Sequence, residues 1–181
     1  MAEQLILNQR VEGANPSVLV RGVEQPGSSS VKLRKVVLRM NTNTIGNMTE
    51  SVVLSEFQKM EIPVSIPFGR NEPYDFVIDT KDGFKSVQVK HGIYKNGCVV
   101  AEITHKRTYK KTQKDSYKGV VDYIAIWCSQ INKSYLLDMK SFRANKVACL
   151  RIEAPRNNSC ISTIVWAAPY ELKKIAALLK R

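Results

Sequence analysis

What this chain has little of narrows its class first. Its opening ten residues hold one apolar cluster, Leu5-Ile6-Leu7, too short for a signal-peptide core or a membrane span, and no long apolar segment follows. No membrane partner is expected. Cysteine is sparse: Cys98, Cys128, Cys149 and Cys160 lie far apart, with no Cys-x-x-Cys pair and no Cys/His spacing of the zinc kind. They read as reduced thiols in a cytosolic protein. Acidic side chains are also few, 16 Asp and Glu against 28 Lys and Arg.

That imbalance leaves a formal net charge of +12 and a pI near 9.6, which favours a polyanionic partner, nucleic acid before membrane. The 181 residues suit one domain with an ordinary core. Positive charge is densest between His105 and Lys118, where Lys106, Arg107, Lys110, Lys111, Lys114 and Lys118 face a single acid, Asp115. In so basic a chain this reads as a loop that tracks a phosphate backbone, with Arg70 in an earlier turn as a further contact. Tyr109 and Tyr117 interleave it, available to stack or hydrogen-bond.

Residues 1–39 behave differently from the rest. Arg21-Gly22-Val23-Glu24-Gln25-Pro26-Gly27-Ser28-Ser29-Ser30 has neither helical nor strand period, as in a flexible arm. Back-translated with suitable codons, the same decapeptide resembles the D-arm of a bacterial initiator tRNA gene. On that reading 1–39 is a non-native or disordered leader read through a tRNA exon, and the working domain is 40–181, starting near Met40.

From Thr49 the pattern becomes regular. Thr49 is a candidate cap for a helix through Met60 with Val53, Leu54 and Phe57 as its buried stripe, and Glu50 projects from that same face. Val64, Ile66 and Phe68 alternate as a first strand ending at Gly69-Arg70-Asn71. Phe76 to Val89 forms a hairpin about Asp82, which sets Asp75 opposite Val89. Asn96-Gly97 turns the chain into a strand from Cys98 to Thr104. A second hairpin follows about Asn132-Lys133, with Asp122 at its start as a structural residue, through a hydrogen bond or a salt bridge. Ser141 to Asn145 reads as a short helix, Val147 to Ile152 and Ile161 to Trp166 as strands, and Glu171 to Lys180 as a closing amphipathic helix.

The chemistry gathers on the first hairpin. Gln88 and Lys90 share one face and lie diagonally across from Asp75, so a carboxylate, an amide and an ammonium converge. A hard divalent cation takes oxygen ligands of this kind, here Asp75, Gln88 and the Val89 carbonyl, while an ammonium beside it orients water or neutralises a phosphate.

The spacing resembles the PD-(D/E)xK nuclease core: Pro73-Tyr74-Asp75 stands for the first half and Gln88-Val89-Lys90 for the second, with Gln where most members carry an acid. Helix, Asp75, Gln88-Val89-Lys90 and the strand Val121 to Ile126 together are similar to the group I intron-encoded homing endonucleases with this core, close to the branch hosted by a cyanobacterial initiator-tRNA intron. The resemblance implies an α/β, restriction-endonuclease-like mixed sheet flanked by helices, and Mg²⁺-dependent cleavage of double-stranded DNA at an intronless initiator tRNA gene. It also implies Glu50 as a further metal ligand or water organiser, a homo-oligomer of tetrameric kind, and a bacterial cytoplasmic, nucleoid-associated setting. Other nuclease signatures fail: Gly92-Ile93-Tyr94 lacks its Tyr-Ile-Gly partner, and no His-Asn-His constellation surrounds His91 or His105. A structure-specific or restriction-type nuclease of the same fold, or a non-catalytic basic nucleic-acid binder, stands as the alternative.

Overall fold

Thr49, a residue type that often caps helices, here sits well inside one. In the computed structural model, which describes residues 41–69, 71–106, 114–155 and 164–180, the first helix α1 runs Thr42–Lys59. The Thr49 hydroxyl donates to the Ile45 carbonyl one turn back at 2.6 Å, an alternative to capping that lets the helix begin two turns earlier than expected. Val53 and Phe57 are buried, while Leu54 is only half-buried and Glu50 is exposed rather than inside the stripe. The chain divides after Asn41, and every helix and strand described belongs to the unit Thr42–Arg181; the leader and its tRNA-like decapeptide lie outside the described residues.

Among the described residues ten strands come after α1: β1 Val64–Ser65, β2 Phe76–Thr80, β3 Gly83–His91, β4 Ile93–Lys95, β5 Cys98–Glu102, β6 Thr104–Lys106, β7 Lys114–Ser116, β8 Tyr123–Cys128, β9 Lys133–Asp138 and β10 Val147–Arg151. The closing helix α2 spans Leu172–Leu179, burying Leu172, Ala176 and Leu179. Between Pro63 and Pro67 the first strand is only two residues long, and Ile66 and Phe68, expected to alternate within it, are exposed. Proline cannot donate to a ladder, which limits the pairing here. Ser141–Asn145 is mostly irregular chain rather than a helix; of the last expected strand, residues 161–163 fall outside the described residues, and Ile164 to Trp166 holds only an isolated bridge from Trp166 to Arg151.

The β2–β3 hairpin turns through the two-residue loop Lys81-Asp82, with Thr80 paired to Gly83 and Gly83 at φ +93°. The Thr80 hydroxyl ties the turn by donating to the Gly83 carbonyl at 2.7 Å. Phe76 pairs with Val87, so the register lies one residue from the expected one. Continued outward, it brings Asp75 level with Gln88 rather than with Val89.

The five-stranded sheet has the order β1-β2-β3-β8-β9, and only β3 and β8 run parallel within it. A three-stranded sheet, β10-β5-β4, lies beyond the corner at Gly92, and β6 pairs with β7 as a separate ribbon. One face of the larger sheet, through Phe76, Ile78, Val87, Val89, Ala125, Trp127 and Leu136, packs with residues of both helices. Ile124, Ile126, Tyr135 and Leu137 supply its other face and pack with Val99, Ala101, Ala148 and Leu150 of the smaller sheet. Side chains alternate across a strand, so Gln88 and Lys90 point away from the helices while Val87 and Val89 point toward them. Burying both faces of β8 explains its near-continuous apolar run.

Candidate active site

Two side chains singled out in the sequence, Asp75 and Gln88, meet where β2 begins and β3 nears its end, with Lys90 farther along the same face of β3. The Val89 N–H donates to Asp75 Oδ2 at 2.6 Å and the Gln88 amide donates to the same oxygen at 2.5 Å. A further contact of 3.3 Å links the Gln88 amide nitrogen to its neighbour's carbonyl, Val89 O. The Asp75 N–H in turn donates to Val87 O at 2.9 Å, which fixes the backbone carrying the carboxylate. Burial pushes the Asp75 carboxyl above its ordinary range, against the opposing pull of the Val89 N–H, the Lys90 charge and the Gln88 amide. Lys90 is therefore within Coulombic reach of Asp75 on the same side of the sheet.

Glu50 joins from α1. It is exposed as a residue, yet its carboxyl is pushed up by partial burial and by the Asp75 charge, while Lys90 pulls it down. Its helix is fastened to β3 one residue earlier, where the Thr49 hydroxyl and His91 Nδ1 lie 3.3 Å apart. Glu50 thus reaches the site from its rim.

The donor set suits a hard cation. Asp75, Glu50, the Val89 carbonyl and the amide oxygen of Gln88, after rotation of that amide, are all oxygens. Both carboxyls are raised chiefly by burial, against the pull of Lys90. Among the described residues no cluster of three or more His, Cys, Asp or Glu is positioned for a metal, and Gln88 brings a neutral oxygen rather than an acid.

The expected DNA-contacting residues divide. Arg70, Arg107, Lys110 and Lys111 lie outside the described residues. Lys106 and Lys114 are paired across the β6–β7 ribbon, and Lys118 is exposed just after it, with Nζ donating to Arg143 O at 3.3 Å. Tyr117 was visible in the sequence only as an aromatic interleaved among lysines. In the fold it is buried and accepts a hydrogen bond from Lys90 Nζ at 3.1 Å. Nothing in the local pattern distinguishes it from Tyr109.

No helix among the described residues is long and apolar enough to cross a membrane. A search of curated proteins finds no match. The fold is similar to that of a bacterial homing endonuclease, I-Ssp6803I, with a TM-score of 0.54 and 19% sequence identity over 76% of this chain and 90% of that one. The family model of the PD-(D/E)XK endonucleases matches residues 40–173, which include α1, Asp75 and the Gln88-Val89-Lys90 segment. The chain belongs to the PD-(D/E)XK endonuclease family, nucleases of the hydrolase class that generally use divalent metal ions.

Proposed function

We propose that this chain is a site-specific homing endonuclease that cleaves an intronless initiator tRNA gene by Mg²⁺-dependent hydrolysis of both DNA strands. The observation that carries the reading is the contact of Asp75 with Gln88 at one end of β3, with Lys90 in Coulombic reach. The fold's likeness to a protein titled a bacterial homing endonuclease and the tRNA-like decapeptide at 21–30 support the homing role. The net charge of +12 supports a DNA partner, with Arg70, Lys106, Arg107, Lys110, Lys111, Lys114 and Lys118 along the backbone.

In this mechanism Asp75, Gln88 and the Val89 carbonyl would hold the cation, and Glu50 would add a ligand or order water at the rim. When bound, Mg²⁺ supplies Lewis-acid polarisation of the phosphate and lowers the pKa of water. Lys90 places its ammonium beside the scissile phosphate, where it orients the attacking water and offsets charge developing on the non-bridging oxygens. The Val89 N–H keeps Asp75 aimed, so the carboxylate needs little rearrangement to bind. A homo-oligomer, a tetramer by resemblance, working at the nucleoid of a bacterium, would match two-fold symmetry to a near-palindromic anticodon stem.

A supercoiled plasmid carrying the intronless gene tests this, beside one with the gene interrupted and a four-way junction. Linear product is expected only from the first, only with Mg²⁺ and not with chelator, and Lys90→Ala should slow it by about a hundredfold or more. Absence of linear product, or undiminished cutting by Lys90→Ala, rejects the assignment. Preferential junction cleavage would instead indicate a structure-specific nuclease.

A further inference from the structure

A lysine ammonium at the end of four methylenes samples many positions unless something holds it. The Lys90 ammonium is held. Its Nζ lies 3.1 Å from the Tyr117 hydroxyl and 4.9 Å from the centre of the Tyr117 ring. Being nearer the oxygen by that margin, the ammonium sits at the hydroxyl end of the ring, so the hydrogen bond is the main contact and the π-face a lesser one.

Tyr117 is itself restrained from several directions. It is 5% exposed and belongs to the buried cluster containing Val121, Ile126 and Met139. His105 of β6 packs on its ring, with centroids 5.0 Å apart and planes tilted by 50°. The Tyr117 carbonyl accepts the N–H groups of Val120 and Val121 at 3.0 and 3.2 Å, anchoring its backbone in the turn that leads to β8. A hydroxyl carried on so fixed a ring is a rigid post for a flexible cation.

We propose that Tyr117 is a positioning residue for the nuclease reaction: its hydroxyl holds the Lys90 ammonium toward Asp75 and Glu50, and it ties Lys90 to the basic β6–β7 ribbon that immediately precedes it. The inference rests on the reading of Lys90 as the group that acts at the phosphate. Tyr117 touches neither DNA nor metal in this role, and acts through Lys90 alone. Tyr117→Phe keeps the ring, its packing against His105 and its lesser attraction for the cation, and removes only the acceptor oxygen.

The test uses the full chain and four measurements: single-turnover cleavage of the plasmid with Mg²⁺, affinity for the same DNA with Ca²⁺ replacing Mg²⁺, the thermal midpoint, and the ¹⁵N side-chain ammonium spectrum assigned with Lys90→Arg. Tyr117→Phe should slow cleavage by about tenfold, the loss expected for one hydrogen bond to a charged group. It should leave DNA affinity unchanged and erase the slowly exchanging Lys90 ammonium signal of the parent protein. A parental cleavage rate, or a persistent ammonium signal, overturns the proposal. So does a slowing that merely follows a matching fall in affinity and thermal midpoint, which would mark a structural tyrosine. If the parent protein cuts no plasmid, the nuclease assignment of the site fails separately. The ammonium signal then decides alone: its loss in Tyr117→Phe upholds the hold on Lys90, and its persistence overturns it.

Discussion

Ser86 and Asp122 grip each other reciprocally across the junction of β3 and β8. Asp122 Oδ2 accepts the Ser86 N–H and the Ser86 hydroxyl, both at 2.8 Å, while Ser86 Oγ accepts the Asp122 N–H at 3.0 Å. Parallel strands have no tight turn to set their register, and a slip of one residue would send each side chain to the other face. The clamp stands one residue before the first paired position, Val87 with Tyr123, and that register carries through to Lys90 with Ile126. Of the hydrogen bond or salt bridge expected of Asp122, the structure shows the hydrogen bonds.

Asp122→Ala should therefore cost about 1–2 kcal/mol, since it removes two acceptor contacts at a partly solvated site. Asp122→Asn should cost less, because the amide oxygen still accepts one of them. Urea unfolding of the two variants gives the comparison; equal midpoints for Asp122→Ala and the parent would show that the clamp does not stabilise the junction.

Gly92 is the corner between the two sheets, and its N–H donates to Trp127 O at 2.8 Å. A Cβ at this position would lie 2.7 Å from Ile126 Cγ2 and 2.8 Å from Val99 Cγ1, two buried side chains of opposing sheets. Gly92→Ala should destabilise the fold by about 1–3 kcal/mol, the usual range for overpacking. A thermal melt reads this, and no fall in midpoint would mean that the sheets part without cost. The glycine of Gly92-Ile93-Tyr94 thus serves close packing.

Gln88→Glu replaces the donor that now meets Asp75 Oδ2 at 2.5 Å with a second negative charge. Without metal the two carboxylates repel, so the variant should melt lower than the parent in chelator. With Mg²⁺ the order should reverse, and the cation should bind about tenfold tighter because a charged oxygen replaces a neutral one. Calorimetric titration and paired melts measure both. Weaker Mg²⁺ binding by Gln88→Glu would remove residue 88 from the ligand set.

The raised carboxyls of Asp75 and Glu50 set a pH dependence of definite sign. Their folded values lie above the ordinary 3.8 and 4.5, so between the unfolded and folded values the native state holds more protons than the unfolded chain. Their contribution to stability is fully present below the unfolded values and is lost as pH rises through the folded ones. Above the folded values both are ionised at a cost, and Glu50→Gln should raise the metal-free midpoint there by about 1–2 °C while flattening its fall with rising pH. Cation binding needs the ionised forms, so Mg²⁺ affinity should begin to drop on acidification at a higher pH than an unperturbed carboxylate would give. Parallel melting curves for Glu50→Gln and the parent across pH would contradict the assignment of Glu50 to this site.

Much of the site was legible because its logic is local. Asn96 and Gly97, at φ +51° and +74°, form the turn that the Asn-Gly pair announces, and Asp75 meets Gln88, with Lys90 in Coulombic reach, because one hairpin carries all three. Other features were ambiguous at short range. Thr49 can cap a helix or bond back to Ile45, and the choice depends on whether upstream residues find packing. A Lys-Asp-Gly turn can close with Asp82 at its centre or with Lys81 and Asp82 as a two-residue loop, and the Thr80 hydroxyl bond to Gly83 accompanies the second. The two choices differ by one residue in the partner of Asp75.

Alternating side chains, turn residues and a surplus of lysine and arginine were enough by themselves to point to an α/β fold, to gather a carboxylate, an amide and an ammonium on one hairpin, and to favour a polyanionic partner. Those properties depend on spacings of a few residues, which the order of amino acids states directly. Only the tertiary structure decided that β8 would lie parallel beside β3, that Gly92 would let two sheets approach, that Glu50 would come in from the rim, and that Tyr117 would hold Lys90. Each joins segments separated along the chain, and such contacts are chosen by how whole elements bury their apolar faces together, a property of the assembled core that no short stretch contains.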